Sequence, residues 1–258
     1  MPVLLVGCGR MGGAMARGWA GGEHIFVHDP LAEALPDGAT RIDRLDALAS
    51  DDLVVVLAVK PQVFASLAPS LGPLADGGAL CVSIMAGITL AGLSGALSGS
   101  RRIVRAMPNT PAAIGRGITA AAAGEAIDAT DRARVEALLA PTGALLWLDD
   151  EAQMDAVTAV SGSGPAYFFR FTEALALAGE KAGLPPPLAM QLARTTFTGA
   201  AALAEQDSAE LAELRRQVTS PGGTTAAGLG EMDRDDAIDR LAAAVVRAAA
   251  ARSRALAD

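Results

Sequence analysis

Near the amino terminus, Gly7-Cys8-Gly9-Arg10-Met11-Gly12 follows an apolar run at 3–6 and opens a segment through Ala14, Met15 and Trp19 with helical spacing. Few architectures place three glycines this way between a strand and a helix. Gly7 permits a tight turn, Gly9 lets backbone approach a pyrophosphate, and Gly12 lets the helix pack on the strand. The helix start then offers unpaired N–H groups and partial positive charge to an anion. A flexible glycine turn is the plain alternative. The strand before and the helix after favour a dinucleotide site.

The rest of the first half supports that architecture. Apolar runs at 3–6, 25–28, 53–59 and 80–84, with weaker ones at 103–105, 118–121 and 145–148, alternate with helical segments. Continuous apolar strands separated by helices indicate a parallel sheet covered on both faces. Beyond about residue 150, Ala/Leu-rich stretches replace β-branched runs. Pro165 sits just inside a helix start, and Gly183 with Pro185-Pro186-Pro187 ends that helix. Further helices are expected at 188–204 and 234–256, with another between them directly after a break at Ser220-Pro221-Gly222-Gly223. The expected fold is α/β: a Rossmann-like, doubly wound, mostly parallel sheet over 1–150, and an all-helical domain over 151–258.

Composition removes several classes of function. With 51% hydrophobic and 19% charged residues the chain is not disordered. A net charge of −8 argues against a nucleic-acid partner. The apolar stretches fall short of the roughly 18 residues that a spanning helix needs, so no membrane is expected. The N-terminus shows no basic leader, which points to the cytoplasm. Cys8 and Cys81 suit a reduced compartment, and with only His24 and His28 no metal site or histidine triad is expected. An Ala-rich helical half has little large-side-chain area of its own to bury, which suits burial against a second subunit.

Asp29, in His28-Asp29-Pro30, stands about 20 residues after the glycines, where an acid can bind ribose hydroxyls. A turn aspartate before proline is the equal alternative. Four other segments carry unusual polar detail: Ala58-Val59-Lys60-Pro61-Gln62, Arg105-Ala106-Met107-Pro108-Asn109-Thr110-Pro111, Ser161-Gly162-Ser163-Gly164-Pro165-Ala166-Tyr167, and Val218-Thr219-Ser220-Pro221-Gly222-Gly223-Thr224-Thr225 with Gly228, Leu229 and Met232.

Together with the glycine turn these segments resemble pyrroline-5-carboxylate reductase, in order and over nearly the whole chain. The resemblance implies hydride transfer from NADPH or NADH to the C=N carbon of 1-pyrroline-5-carboxylate, giving L-proline. It implies that Gly7, Gly9, Arg10, Met11, Gly12, Asp29, Val59, Lys60, Pro61 and Asn109 bind the cofactor, with Asn109 near the nicotinamide. It implies that Ser163, Gly164, Ser220, Gly222, Gly223, Thr224 and Thr225 bind the substrate, with Thr225 the candidate catalytic residue. The family forms dimers through its helical domains, so at least a homodimer is expected. Read by themselves, Gly222 and Gly223 make a bare turn whose N–H groups suit a carboxylate, and the Thr225 hydroxyl suits the ring nitrogen. Helix capping is the competing reading.

Two departures bear on the cofactor. The family commonly has Asn where Arg10 stands, and Ser or another neutral residue where Asp29 stands. Asp29 would repel the 2′-phosphate of NADPH and so leans to NADH. Arg10 offsets Asp29 if it reaches the adenosine side; a pyrophosphate or solvent role is the equal alternative. A 3-hydroxyacid-type dehydrogenase would need a lysine early in the helical half, and there is none. An idle nucleotide-binding regulator would have lost the 220–225 segment, and it is intact.

Overall fold

The computed structural model describes residues 1–19 and 24–256. Its strands are β1 (Pro2–Val6), β2 (His24–His28), β3 (Ala39–Arg41), β4 (Val54–Leu57), β5 (Leu80–Ser83), β6 (Ile103–Met107), β7 (Gly117–Ala123) and β8 (Gly143–Trp147). They form one eight-stranded sheet among the described residues, in the order β3-β2-β1-β4-β5-β6-β7-β8. Neighbours run parallel throughout, except that β6 and β7 are antiparallel. The short connection 108–116 has no room for the crossover that a parallel pair requires.

Helices α1 (Arg10–Trp19), α2 (Pro61–Asp76), α3 (Leu90–Ala96) and α4 (Ala129–Leu139) cover the sheet. Along β1, Val3 and Leu5 share one core cluster with Met15 and Trp19 of α1 and Leu138 of α4, whereas Leu4 and Val6 share another with Phe64 and Leu71 of α2 and Leu93 of α3. Both faces are buried, which is why β1 and β4 are apolar at nearly every position. The order reverses at β1, whose neighbours are β2 and β4. The glycine turn therefore sits at a topological switch point, where doubly wound sheets bind ligands.

The chain divides into two compact units, residues 1–163 with the chain's end from Ala248, and Gly164–Arg247. The first unit also holds α5 (Met154–Val157), followed by a π-helical turn at Thr158–Gly162. The remaining helices are α6 (Gly164–Lys181), α7 (Pro186–Gln206), α8 (Leu211–Gln217), α9 (Thr224–Asp233) and α10 (Ala237–Arg254). In the first unit, Ser253 Oγ near the end of α10 donates to Asp155 Oδ1 at 2.7 Å. In the second unit α6 packs along α7, and Phe168 stacks on Phe197 with ring centroids 6.1 Å apart.

Three features differ from the sequence expectation. β3 was not anticipated, being only three residues long and partly exposed. α8 lies where no helix was expected. The last helix starts at Ala237 rather than at 234, because Asp235 and Asp236 take left-handed φ values of 51° and 54°.

Candidate functional site

β1 delivers the chain into the glycine turn and α1 carries it away. Gly7 has φ +94°, and a Cβ there would lie 2.8 Å from the Ala58 carbonyl oxygen and 2.8 Å from Val59 Cγ1. At Gly12 a Cβ would fall 2.2 Å from the Gly7 carbonyl oxygen. Gly9 differs, since nothing lies within 4 Å of its Cβ position. Two glycines thus let backbone pack on backbone, and the third leaves open space at the start of a ten-residue helix. That arrangement fits a pyrophosphate over Gly9, held by the N–H groups of the first turn of α1.

Asp29, just past β2, is drawn into this turn. Its Oδ2 accepts from Cys8 N at 2.7 Å, and its Oδ1 accepts from Leu31 N at 2.9 Å. Arg41 Nη1 donates to the Asp29 carbonyl at 2.6 Å, and Nη2 to the Ala32 carbonyl at 2.5 Å. Asp29 is therefore a turn residue and a fixed carboxylate at once, because each oxygen keeps a lone pair. Burial, and then the neighbouring Asp29 charge, push the Cys8 thiol pKa up.

A cleft of about 350 Å³ opens beside the turn, lined by Cys8, Gly9, Arg10, Gly13, Arg17 and the 34–37 loop. Arg10 thus faces the loop after β2. Met11, by contrast, packs its side chain against the core cluster that includes Met15 and Trp19. Ala58 and Val59 follow β4 and crowd Gly7. Lys60 is the extended N-cap of α2, with its carbonyl accepting from Val63 N and Phe64 N, and Pro61 opens the helix. The Lys60 side chain is exposed. Asn109, past β6, accepts from Ile118 N through Oδ1 at 3.0 Å, which fixes the 108–116 connection.

Ser163 follows the π-helical turn, an irregularity that marks functional sites in many proteins. A Cβ on Gly162 would fall 2.7 Å from Met107 Cε, so this turn lies against the end of β6, two residues before Asn109. The first unit therefore brings together the glycine turn, Asp29 and 58–61, and seats Ser163 by the β6 end.

In the second unit Gly164 is buried at the start of α6. Ser220 to Gly223 turn into α9, whose first residues are Thr224 and Thr225, with Gly222 at φ +69° and Gly223 N donating to the Ser220 carbonyl at 3.1 Å. Gly223 is the N-cap and no side chain caps the helix. Ser220, Thr224 and Thr225 are exposed. The N–H groups of the first turn and the Thr225 hydroxyl have no partner among the described residues. Capping does not occupy these hydroxyls.

Sequence reading passed over Arg17, although it lies seven positions after Arg10 with Gly13 between them. Arg105, which the sequence offers only as the first residue of a polar segment, is a buried cation on β6 whose Nη1 meets Glu151 Oε1 at 2.7 Å. The same oxygen accepts from Leu90 N at 2.8 Å, tying β6 to the start of α3. Among the described residues no group of three or more His, Cys, Asp or Glu side chains suits a metal, and no helix is long and apolar enough to cross a membrane.

The switch-point glycine turn and its carboxylate define a dinucleotide-binding protein of the doubly wound α/β class. A curated pyrroline-5-carboxylate reductase of Pseudomonas aeruginosa is 42% identical over 99% of this chain and 97% of its own length. The chain belongs to the pyrroline-5-carboxylate reductase family. The relative from Pisum sativum is 41% identical over 85% of this chain and 79% of its own. The family model for pyrroline-5-carboxylate reductase dimerisation matches residues 151–256, and that for coenzyme F420-dependent NADP oxidoreductases matches 2–87. The crystal structure of the Coxiella burnetii pyrroline-5-carboxylate reductase superposes with a TM-score of 0.89 at 30% identity, covering 99% of this chain and 98% of that one. The Plasmodium falciparum pyrroline carboxylate reductase, solved with NADP bound, gives 0.83 at 29% identity, covering 100% and 98%.

Proposed function

We propose that this chain reduces 1-pyrroline-5-carboxylate to L-proline with a reduced nicotinamide dinucleotide. One observation carries the substrate reading: the first turn of α9 presents N–H groups and a Thr225 hydroxyl that have no partner among the described residues. The N–H groups suit the substrate carboxylate. The Thr225 hydroxyl accepts a hydrogen bond from the protonated ring nitrogen and donates one to the amine after reduction. Ser220, Gly222, Gly223 and Thr224 shape the carboxylate cradle, and Ser163 and Gly164 complete the substrate set. When bound, the nicotinamide supplies a hydride from its C4. The protonated imine is already electrophilic, so the protein positions the reactants, and no histidine or cysteine need move a proton. An assay of NAD(P)H oxidation dependent on pyrroline-5-carboxylate tests this, with L-proline the expected product. Cofactor binding without turnover would favour an idle nucleotide-binding protein.

NADH serves at least as well as NADPH in this reading. Two backbone donors hold the Asp29 carboxylate at the ribose end of the turn, where it accepts from ribose hydroxyls and repels a 2′-phosphate. Asp29→Ser should raise kcat/KM for NADPH relative to NADH by about tenfold, the scale of one lost charged interaction. A strong NADPH preference in the unaltered chain, unmoved by Asp29→Ser, would reduce Asp29 to a turn residue.

The helical unit works as part of a homo-oligomer. Phe169 is 56% exposed, Leu192 49% and Leu203 63%, while the buried residues of α7 are only Ala189 and Ala193. Apolar surface on this scale in a weakly filled unit calls for a partner, and a second copy fits the matched dimerisation family. Sedimentation at micromolar concentration should show no folded 26.0 kDa monomer. A stable monomer with an intact melting transition would refute the reading.

A further inference from the structure

We infer that Arg10 and Arg17 of α1 form a subsite for the 2′-phosphate of NADPH, so that this chain accepts both dinucleotides through separate side chains. The inference rests on the cofactor reading above. Positions 10, 13 and 17 share one face of α1, and helical side chains lean toward the helix N-terminus. Gly13 leaves that face bare between the two arginines. Its Cβ position lies 3.6 Å from Arg17 Nη1 and 3.7 Å from Cys8 Sγ, so the Arg17 guanidinium folds back toward the glycine turn.

Both arginines line the cleft that runs from Cys8 to the 34–37 loop. Cys8 N is also bound by Asp29, so the cleft begins where the ribose acid ends. Gly9 and the first turn of α1 suit the pyrophosphate, which leaves this cleft for a group on the ribose. Neither guanidinium has a partner among the described residues, whereas Arg41 is spent on the Asp29 and Ala32 carbonyls. The acid lining the cleft is Asp37. Two unpaired guanidinium groups match a dianionic phosphate ester in charge and in hydrogen-bonding geometry.

The test measures dissociation constants of NADPH and NADH by titration calorimetry, for the unaltered chain and for Arg17→Gln, Arg17→Lys and Arg10→Gln. Melting temperatures confirm that each variant is folded. Arg17→Gln should weaken NADPH about tenfold and leave NADH within about twofold, as expected for a lost charged contact to one phosphate. Arg17→Lys should restore part of the NADPH affinity. Adenosine 2′,5′-bisphosphate should bind the unaltered chain more tightly than 5′-AMP, and Arg17→Gln should erase that difference. Equal weakening of both dinucleotides, or no change in either, overturns the subsite. Failure of the unaltered chain to bind either dinucleotide overturns the cofactor reading beneath it.

Discussion

Gly9→Ala is expected to keep the melting temperature of the unaltered chain yet weaken NADH binding at least tenfold, whereas Gly12→Ala should lower both. The two glycines differ in what surrounds them. The added methyl at position 9 meets open space in the protein, so folding is indifferent to it. That open space is where a pyrophosphate would lie, so a bound dinucleotide meets the methyl directly. At position 12 the methyl would lie 2.2 Å from the Gly7 carbonyl oxygen, and backbone cannot give way as a flexible side chain can. Overpacking of this kind costs about 1–3 kcal/mol, and the turn that carries the N–H donors is displaced with it. Calorimetric titration and thermal melts on the two variants separate the effects. Gly9→Ala binding NADH as tightly as the unaltered chain would place the pyrophosphate elsewhere.

Thr225→Ala should lower kcat/KM for the imine by about 10- to 100-fold with NADH affinity unchanged, the expected cost of one hydrogen bond to a charged group. The capping alternative predicts a different signature. Gly223 is the N-cap of α9 and receives no side-chain help, so removing the Thr225 hydroxyl costs the helix little. Unchanged melting with impaired turnover therefore supports substrate contact. Thr225→Ser, which keeps the hydroxyl, should recover most of the activity. Full activity in Thr225→Ala would remove Thr225 from the site.

What could be read in advance follows from where information is local. β1 and β4 are uninterrupted apolar runs and β5 is apolar up to Ser83, and the glycine spacing between β1 and α1 encodes a turn that other residues cannot make. β3 carries no such signal: it is short, partly exposed, and exists because the chain after Asp29 returns to pair with β2. The start of α10 was placed early because Asp235 and Asp236 adopt left-handed backbone, which aspartate tolerates but composition does not announce.

At the candidate site the polar motifs were legible as segments, and their hydrogen bonds were not. The position of Asp29 suits both a ribose ligand and a turn residue, and its two oxygens serve the turn while leaving lone pairs for a ligand. Arg17 carries no signal in the sequence, because a lone arginine on an exposed helix face is ordinary. Only the cleft beside Gly13 gives it a place. Arg105 and Glu151 lie 46 positions apart, and their pairing belongs to tertiary packing alone.

Transfer of a labelled hydride tests the central claim most directly. The unaltered chain is incubated with 1-pyrroline-5-carboxylate and NADH carrying deuterium on both C4 positions, and the product is analysed by mass and NMR spectroscopy. The account predicts L-proline bearing one deuterium on the ring carbon that was double-bonded to nitrogen, formed in step with NADH oxidation. Proline without deuterium, or a chain that binds NADH and leaves the imine unreduced, would contradict it.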